Sequence, residues 1–305
     1  MAGGEVGTDD VWARWLLTDR HAGDEAYRAA IEDEVSRYTE RVLDAAELRP
    51  GMTLLDLGAG DGSLALRALE RLGGEAEVVL TDVSAPLLAH AKARLVAAGR
   101  GPRCRFHRLA ADRLGGIDSA SVDAVTSRAV LAYVGPRAAA FAEAFRVLRP
   151  GGRLSIAEPV FRDEAELALA LAARVAAGGG AQDPLLPLIA RWKAAQFPAT
   201  AEGIAATPIT NFGERDLLYL AQAAGFTDVH LAFCIDVGRA RPVSWASYIG
   251  TSPHPLAPSL AMIMARDFSA GERALLEAAL RPAVEAGGLP QTDRIAYLNG
   301  RRPTA

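Results

Sequence analysis

The sequence predicts an α/β protein with a doubly wound, seven-stranded sheet that is interrupted by helical insertions. Three observations support this fold class. Short apolar runs alternate with segments of helical periodicity from residue 47 to residue 162, which is typical of a sheet with helices on both faces. A glycine-rich turn follows the first apolar run. Acidic residues stand at the ends of the first three predicted strands, where ligands of such sheets bind.

The predicted elements begin with an amphipathic helix over residues 24–46, where apolar residues recur at helical spacing between charges. The segment TLLDLG is a short apolar run that ends in glycine, which predicts a buried parallel strand. SLALRALERLG then returns to the helical period and stops at Gly73 and Gly74. The next predicted helix opens with Ser84 as its N-cap and Pro86 in its first turn.

The alternation continues through four more predicted strands: AEVVLTDVS, RCRFHRL, one that starts in SVDAVTSRAVLAYV, and RLSIAEPV. After Pro159 the chain becomes helical and rich in Ala and Leu, and the sheet resumes only with DVHLAFCIDV and DRIAYLNGRR. Both insertions follow strands. We therefore expect at least the first to lie at the carboxyl edge of the sheet, over the ligand site.

The chain is long enough for one large domain with an added cap. We divide it into a helical N-terminal segment that covers the site, an α/β core in two pieces, two insertions, and a final strand with its tail. The expected boundaries are 1–46 for the N-terminal segment, 47–162 and 206–238 for the core, 163–205 for the helical cap, 239–290 for the second insertion and 291–305 for the last strand and tail.

Composition and charge limit the function classes. The net charge is −4, without a basic surplus, so we expect no nucleic-acid partner. Cys104 and Cys234 are too few for a disulfide framework or a zinc site, and we expect no metal. MAGGEVGTDD lacks the features of a secretory signal, and the apolar run at 165–177 is too short to span a membrane. These features predict a soluble, cytoplasmic protein.

The glycine loop lies in LLDLGAGDGSL, with Gly58, Gly60 and Gly62 on alternate positions. Glycines allow positive φ and close approach of a ligand, and the helix N-terminus behind them supplies free N–H groups. A triphosphate-binding loop would end in Gly-Lys-Ser/Thr, and no lysine stands here. A dinucleotide-binding loop would have its third glycine at position 63, where the sequence has serine.

Acidic residues around the loop indicate the charge of the ligand. Asp56, just before the loop, would repel a diphosphate and attract a cation, so it favours an ammonium or sulfonium group carried by a nucleoside. Asp82 ends the second strand, where such folds place a carboxylate on ribose hydroxyls. Asp112 follows the third strand and can accept a hydrogen bond from an adenine amine. Together they describe a site for a positively charged adenosine.

These motifs resemble those of the class I S-adenosylmethionine-dependent methyltransferases. LLDLGAGDG is similar to their D/E-x-G-x-G-x-G motif, LTDVS to the acidic end of their second strand and AADRL to their adenine-contacting segment. FRVLRPGGRLSIAEP is similar to their helix, turn and fifth strand. The resemblance covers residues 45–160 closely, and 205–238 and 291–302 more loosely. It is strongest to the small-molecule branch that includes ubiquinone and menaquinone methylases, and it implies a Rossmann-like sheet and S-adenosyl-L-methionine as cofactor.

The resemblance also implies a role for each residue of the cofactor site. Asp56 would orient water and the methionine amino group, Asp82 would hold the ribose, and Val83 would pack on adenine. The other implied positions are Gly58, Ala59 and Gly60 against the methionine and ribose, Ala111 and Asp112 around adenine, and Ser127 with Arg128 beside the sulfonium.

Three residues are candidates for the chemistry itself. Arg128 can bind a carboxylate of the cofactor or of the acceptor, or it can pair with an acid such as Glu158. Glu158 ends the fifth strand, where we expect it to face the acceptor and take a proton or bind a cation, unless it is an ordinary edge carboxylate. His254 in SPHPLAP is either a general base on the cap or incidental.

Aromatic residues are candidates for an apolar acceptor pocket. Tyr27, Tyr133, Trp192 and Phe197 form this set, with core packing as the alternative. The same choice applies to Phe212 and Trp245. SRAV follows the fourth strand in place of a segment like Asn-Pro-Pro-Tyr, which disfavours amino-purine and amide-nitrogen acceptors.

The predicted function is methyl transfer by in-line displacement to a small-molecule acceptor enclosed under the cap. The accepting atom (O, N, C or S) stays open, as does the need for a general base. One alternative is a protein of this fold that binds S-adenosylmethionine but catalyses cyclisation or isomerisation, and another is an NAD-dependent oxidoreductase. We expect no membrane partner. A homodimer and a role in secondary-metabolite biosynthesis are compatible with the sequence.

Overall fold

A computed structural model describes residues 10–304 of the chain. Residues 1–9 and residue 305 lie outside the described part, and with them most of MAGGEVGTDD, the segment in which we expect no secretory signal. Within the described residues, no helix combines the length and the apolar character needed to cross a membrane.

Within residues 10–304, seven strands form one mixed sheet. They are β1 (Thr53–Leu57), β2 (Glu77–Asp82), β3 (Cys104–Arg108), β4 (Val122–Arg128), β5 (Leu148–Pro159), β6 (Thr227–Arg239) and β7 (Pro290–Arg301). The order across the sheet is β3–β2–β1–β4–β5–β7–β6, and β7 is antiparallel to both of its neighbours. The predicted doubly wound α/β sheet is confirmed.

Helices cover both faces of the sheet and build the insertions. They are α1 (Val11–Arg14), α2 (Glu25–Ala45), α3 (Ser63–Arg71), α4 (Ala85–Ala97), α5 (Arg137–Val147), α6 (Arg162–Ala176), α7 (Leu186–Gln196), α8 (Ala201–Ala206), α9 (Glu214–Ala223), α10 (Trp245–Gly250), α11 (Leu260–Asp267) and α12 (Ala270–Ala286). The predicted cap at Ser84 is present, because its hydroxyl accepts the backbone N–H of Leu87 at 3.2 Å. The sequence did not predict α1 or the π-helical turn Trp15–Asp19 behind it, since so short a segment shows no periodicity.

The sheet separates two layers of buried apolar side chains. One layer contains Phe141 and Phe212, both almost fully buried, together with residues of α5 and α9. The other layer contains Leu43 and Leu69 and joins α2, α3 and α4 to the sheet. Phe212 is thus a core residue, one of the two alternatives that the sequence left open.

The topology brings the strand ends and both insertions to one edge. The strand order reverses between β1 and β4, which opens a crevice at their carboxyl ends. The first insertion follows β5, and the second follows β6, which runs parallel to β5 because both are antiparallel to β7. The two insertions also share one apolar core, in which Leu188 of the first packs with Trp245 and Leu260 of the second. They form a single cap above the crevice.

Candidate functional site

The glycine loop follows β1 and depends on glycine at specific positions. Gly58, Gly60 and Gly62 have φ of 67°, 55° and 76°, a region that other residues rarely adopt. A Cβ placed on Gly58 would lie 2.3 Å from Cγ2 of Val130, in the turn after β4. The loop therefore packs directly against that turn, which leaves no room for a side chain at this position.

Asp82 ties the loop to the end of β2. Its Oδ2 accepts the backbone N–H of Gly60 at 2.9 Å, and its Oδ1 accepts that of Ser84 at 2.9 Å. The carboxyl group is only 8% exposed, and this burial raises its pKa while the two amide bonds act in the opposite direction. The carboxylate is thus fixed at the wall of the crevice.

A cavity of about 350 Å³ lies against the loop, and we call it the first cavity. Most of the predicted cofactor residues meet there. Those that line it are Gly58, Ala59, Gly60, Asp82, Val83, Ala111, Asp112 and Arg128. Sequence spacing therefore located the wall of a single cavity, with Asp82 on one side of the loop and Arg128 on the other.

Asp56 and Ser127, which were also predicted to contact the cofactor, are buried and line neither of the cavities of the site. Asp56 is 2% exposed, and burial raises the pKa of its carboxyl group to about 7 against the attraction of Arg128. Its Oδ2 has no hydrogen-bond partner among residues 10–304. A buried acceptor without a partner fits a ligand that carries donors or positive charge. Ser127 is fully buried, with Oγ 3.5 Å from Oε1 of Glu158.

A second cavity of about 440 Å³ lies between α2 and the cap. Three of the four residues predicted for an acceptor pocket line it, namely Tyr27, Tyr133 and Trp192. The two cavities adjoin, because five residues line both: Trp15, Arg20, Arg128, Ala129 and Tyr133.

Contrary to the expectation from its position on β5, Glu158 faces neither cavity. It is fully buried, and its carboxylate accepts the backbone N–H groups of Val130 at 3.0 Å and Ala132 at 3.1 Å. Burial raises its pKa to about 7, and these amide bonds oppose the shift. Glu158 holds the turn after β4, which carries Ala129 and Tyr133 to the cavity junction.

His254 and Phe197 also lie away from both cavities. His254 is 2% exposed, with Nε2 3.1 Å from the carbonyl oxygen of Gln196. Its Nδ1 accepts the backbone N–H of Leu256 at 3.2 Å, so the neutral ring carries its proton on Nε2. Burial lowers its pKa. Phe197 packs on the His254 ring at 5.2 Å between centroids, so both contribute to packing within the cap.

Three wall residues come from the segment before α2, which belongs to the N-terminal part (1–46) that we expected to cover the site, although none of the three was named as a site residue. Trp12, Trp15 and Leu16 line the first cavity, and a Cβ on Gly60 would lie 3.1 Å from Cδ2 of Leu16. The only signal was the aromatic and apolar content of VWARWLL ahead of an amphipathic helix.

Two acidic side chains in the second cavity were also not predicted from the sequence. Glu34 on α2 and Asp293 on β7 both line the cavity, and Glu34 accepts the hydroxyl of Tyr38 at 3.2 Å. Burial and Asp293 raise the pKa of Glu34. Within residues 10–304, no group of three or more His, Cys, Asp or Glu side chains is arranged to hold a metal ion.

The fold and the first cavity define an α/β protein of the class that binds a nucleoside cofactor at the switch point of its sheet. The family described as Methyltransferase domain matches residues 54–152, which contain the glycine loop, Asp82 and Arg128. Residues 54–152 therefore form a methyltransferase domain, which agrees with the family resemblance predicted from the sequence.

Curated relatives agree with this assignment over part of their length. The chain is 35% identical over 109 residues to the ubiquinone/menaquinone biosynthesis C-methyltransferase UbiE of Brucella anthropi, which covers 36% of the chain and 41% of that protein. It is 33% identical over 145 residues to the nocamycin O-methyltransferase of Saccharothrix syringae, covering 48% and 50%. The chain thus spans about half the length of these relatives or less.

Solved structures show the same fold at low sequence identity. The [4+2]-cyclase SpnF has a TM-score of 0.51 and 22% identity, over 88% of the chain and 82% of its own. The phosphoethanolamine N-methyltransferase 2 of Haemonchus contortus, solved with phosphomonomethylethanolamine and S-adenosylhomocysteine, has a TM-score of 0.50 and 15% identity, over 88% and 52%. These similarities concern the fold alone.

Proposed function

We propose that this chain transfers a methyl group from S-adenosyl-L-methionine to a small-molecule acceptor in the second cavity. The observation that carries the proposal is the shared wall of the two cavities, which Arg128, Ala129 and Tyr133 line from both sides. Such a transfer needs nucleophile, methyl and sulfur in one line, and two adjoining cavities would place donor and acceptor side by side for it.

The residues around the first cavity fit the donor. Asp82 would hold the ribose, because each carboxylate oxygen that accepts an amide N–H still has a lone pair for a hydroxyl. Val83 and Ala111 would pack on adenine, and Asp112 would accept a hydrogen bond from the adenine amino group. The loop from Gly58 to Gly60 would lie against the methionine part. When bound, the cofactor supplies a methyl group activated by the sulfonium.

The second cavity would align the acceptor and exclude water. Its wall is mainly aromatic and apolar, with Tyr27 and Ile31 from α2 and Trp192 from the cap. Alignment of this kind contributes roughly 7–11 kcal/mol in favourable cases. The two relatives are named for transfer to carbon and to oxygen respectively, so their names leave the accepting atom open.

Purified protein, donor labelled on the methyl group and a panel of small molecules test the proposal by mass spectrometry. We expect a labelled product and an equal amount of S-adenosylhomocysteine. Conversion of an acceptor without transfer of label would contradict methyl transfer and favour cyclisation or isomerisation. Calorimetric binding of a nicotinamide dinucleotide in place of S-adenosylhomocysteine would favour the oxidoreductase.

The biological setting is proposed from one relative and from the sequence. Similarity to an enzyme named for nocamycin supports a role in secondary-metabolite biosynthesis. A cytoplasmic location, the lack of nucleic-acid and membrane partners, and a homodimer stay predictions from the sequence. Chromatography coupled to light scattering would measure the assembly state.

A further inference from the structure

Two arginine side chains meet where the cavities adjoin. Arg20, at the end of the π-helical turn, and Arg128, at the end of β4, each line both cavities. The Arg20 guanidinium stands over the Trp15 ring, 5.3 Å from its centroid. Two like charges in a partly desolvated place are costly unless a negative group lies beside them.

The chain supplies no such group at contact distance. Within residues 10–304, neither guanidinium has a carboxylate oxygen within 4.0 Å. Arg128 makes one long contact, from Nη2 to Ser63 Oγ at 3.4 Å, and its buried Nε has no hydrogen-bond partner among the described residues. Burial, and next the charge of Arg128, lower the pKa of Arg20 to about 10, so Arg20 remains cationic at neutral pH.

Three acids act on the charge of these arginines without lying within 4.0 Å of either guanidinium: Asp61, Asp56 and Glu34, of which Glu34 lines the second cavity. Asp61 binds Arg94 at 2.5 Å and accepts the backbone N–H of Ser63 at 3.1 Å. Asp56 lies buried below the loop, and burial keeps its pKa near neutrality, at about 7. Arg20 and Arg128 thus line both cavities without an ion-pair partner within 4.0 Å in the described part of the chain, and a sulfonium in the first cavity would add to the positive charge there.

The carboxylate of S-adenosylmethionine cannot accept hydrogen bonds from all the N–H groups of Arg20 and Arg128. Each guanidinium has five N–H groups, whereas one carboxylate has about four lone-pair sites. A donor carboxylate would therefore leave N–H groups of Arg20 and Arg128 free on the side of the second cavity, which both residues also line.

We propose that Arg20 and Arg128 bind an anionic oxygen of the acceptor, so that the acceptor is a carboxylic acid, a phenol or an enol in its ionised form. This inference rests on the proposed function and narrows its substrate class. Paired guanidinium groups favour the anion over the neutral acid. The acceptor proton is therefore released to solvent on binding, and neither Glu158 nor His254, which line neither cavity, has to take it.

The transfer then balances without a further reactant. The anionic oxygen attacks the methyl carbon, and an O–C bond forms as the C–S bond breaks. The electron pair of the broken bond stays on sulfur, which becomes a neutral thioether. The product is a methyl ester or a methyl ether.

A phenol that absorbs light tests the anion site without turnover. Protein saturated with S-adenosylhomocysteine is titrated with 4-nitrophenol, whose ionisation is visible in its spectrum, and with nitrobenzene. We expect the phenolate to bind at least about ten-fold more tightly than nitrobenzene. We expect this preference to fall to about three-fold or less in Arg20→Met and Arg128→Met, and to fall only in part in Arg20→Lys, which keeps the charge.

The matched control is Arg14→Met. Arg14 is an exposed arginine of α1 that pairs with Asp19 at 3.1 Å and lines neither cavity, so this variant should keep the full preference. Equal binding of both probes to the unaltered protein, binding of neither, or an unchanged preference in both methionine variants would overturn the proposal.

A second comparison separates the acceptor from the donor. S-adenosylhomocysteine carries a carboxylate, and 5′-methylthioadenosine does not. We expect Arg20→Met to weaken the binding of S-adenosylhomocysteine by less than about three-fold. A loss of about ten-fold or more for S-adenosylhomocysteine, with none for 5′-methylthioadenosine, would assign the pair to the donor and overturn our assignment. If S-adenosylhomocysteine failed to bind the unaltered protein, the proposed function would fail first, at a different measurement.

Discussion

The backbone N–H of Gly60 donates a hydrogen bond of 2.9 Å to Oδ2 of Asp82, which joins the glycine loop after β1 to the end of β2. This contact fixes a loop backbone with positive φ and places a carboxylate on the cavity wall at the same time. Asp82 should therefore contribute to binding of the methyl donor in two ways: by contact with the ribose and by holding the glycine loop in place.

Replacing Asp82 with alanine should weaken S-adenosylhomocysteine binding by at least about ten-fold, corresponding to roughly 1.5–3 kcal/mol for a charged hydrogen bond. Titration calorimetry measures the change. Asp118→Ala is the control, because Asp118 is an exposed loop residue that lines neither cavity. Equal affinity of the Asp82 variant and the unaltered protein would refute the ribose role.

Gly58→Ala should disturb the loop by packing and by backbone strain. The new Cβ would lie 2.3 Å from Cγ2 of Val130, at a φ of 67°. We expect binding of S-adenosylhomocysteine to fall about ten-fold or more, since strain of this kind costs of order 1–3 kcal/mol. Gly115→Ala is the matched control, because its Cβ would have no neighbour within 4 Å. Comparable affinities in the two variants would show that the loop tolerates a side chain.

Stability should fall as the pH rises, in part through Glu158. Burial raises its pKa to about 7 in the folded protein, so the folded state binds a proton more tightly than the unfolded state. This contribution is complete below the unfolded pKa and is lost as the pH rises through about 7. Asp56, whose pKa is also about 7, acts in the same direction.

Urea unfolding checks this linkage. From about pH 5 to about pH 8, the free energy of unfolding should decrease in the unaltered protein. The decrease should be smaller by roughly 2 kcal/mol in Glu158→Gln, because glutamine does not ionise. Glu166→Gln, at an exposed position of α6, should keep the full pH dependence. If Glu158→Gln shows the same slope as the unaltered protein, Glu158 does not titrate in this range.

The fluorescence of the tryptophans in the N-terminal segment should change when the first cavity binds a ligand. Trp12 and Trp15 line the first cavity, whereas Trp245 lies in the core of the cap. Binding of S-adenosylhomocysteine should change the intrinsic fluorescence, and the double variant Trp12→Phe with Trp15→Phe should lose most of that change. Trp245→Phe should retain it. A full signal in the double variant would mean that this segment does not sense the donor.

The sequence predicted the sheet and the first cavity because both depend on local signals. The alternation of apolar runs and helical periods located the strands, and the spacing of Gly58, Gly60 and Asp82 located residues that now line one wall. Parallel strands end at the same edge, so residues at successive strand ends meet without further information.

The orientation of Glu158 could not be predicted in this way. It depends on the turn after β4, where Ala129 takes a φ of 57° and the amides of Val130 and Ala132 fold over the carboxylate. Alanine gives no signal for the left-handed region. His254 and Phe197 were misplaced for a related reason, since they meet across two insertions that are far apart in sequence.

The central claim is that donor and acceptor occupy two adjoining cavities. The most direct measurement follows methyl transfer and S-adenosylhomocysteine affinity together in Ile31→Trp, which adds bulk to a residue that lines only the second cavity. We predict that label transfer falls at least about ten-fold while affinity changes less than about three-fold. Unchanged transfer, or an equal loss of transfer and affinity, would contradict the account.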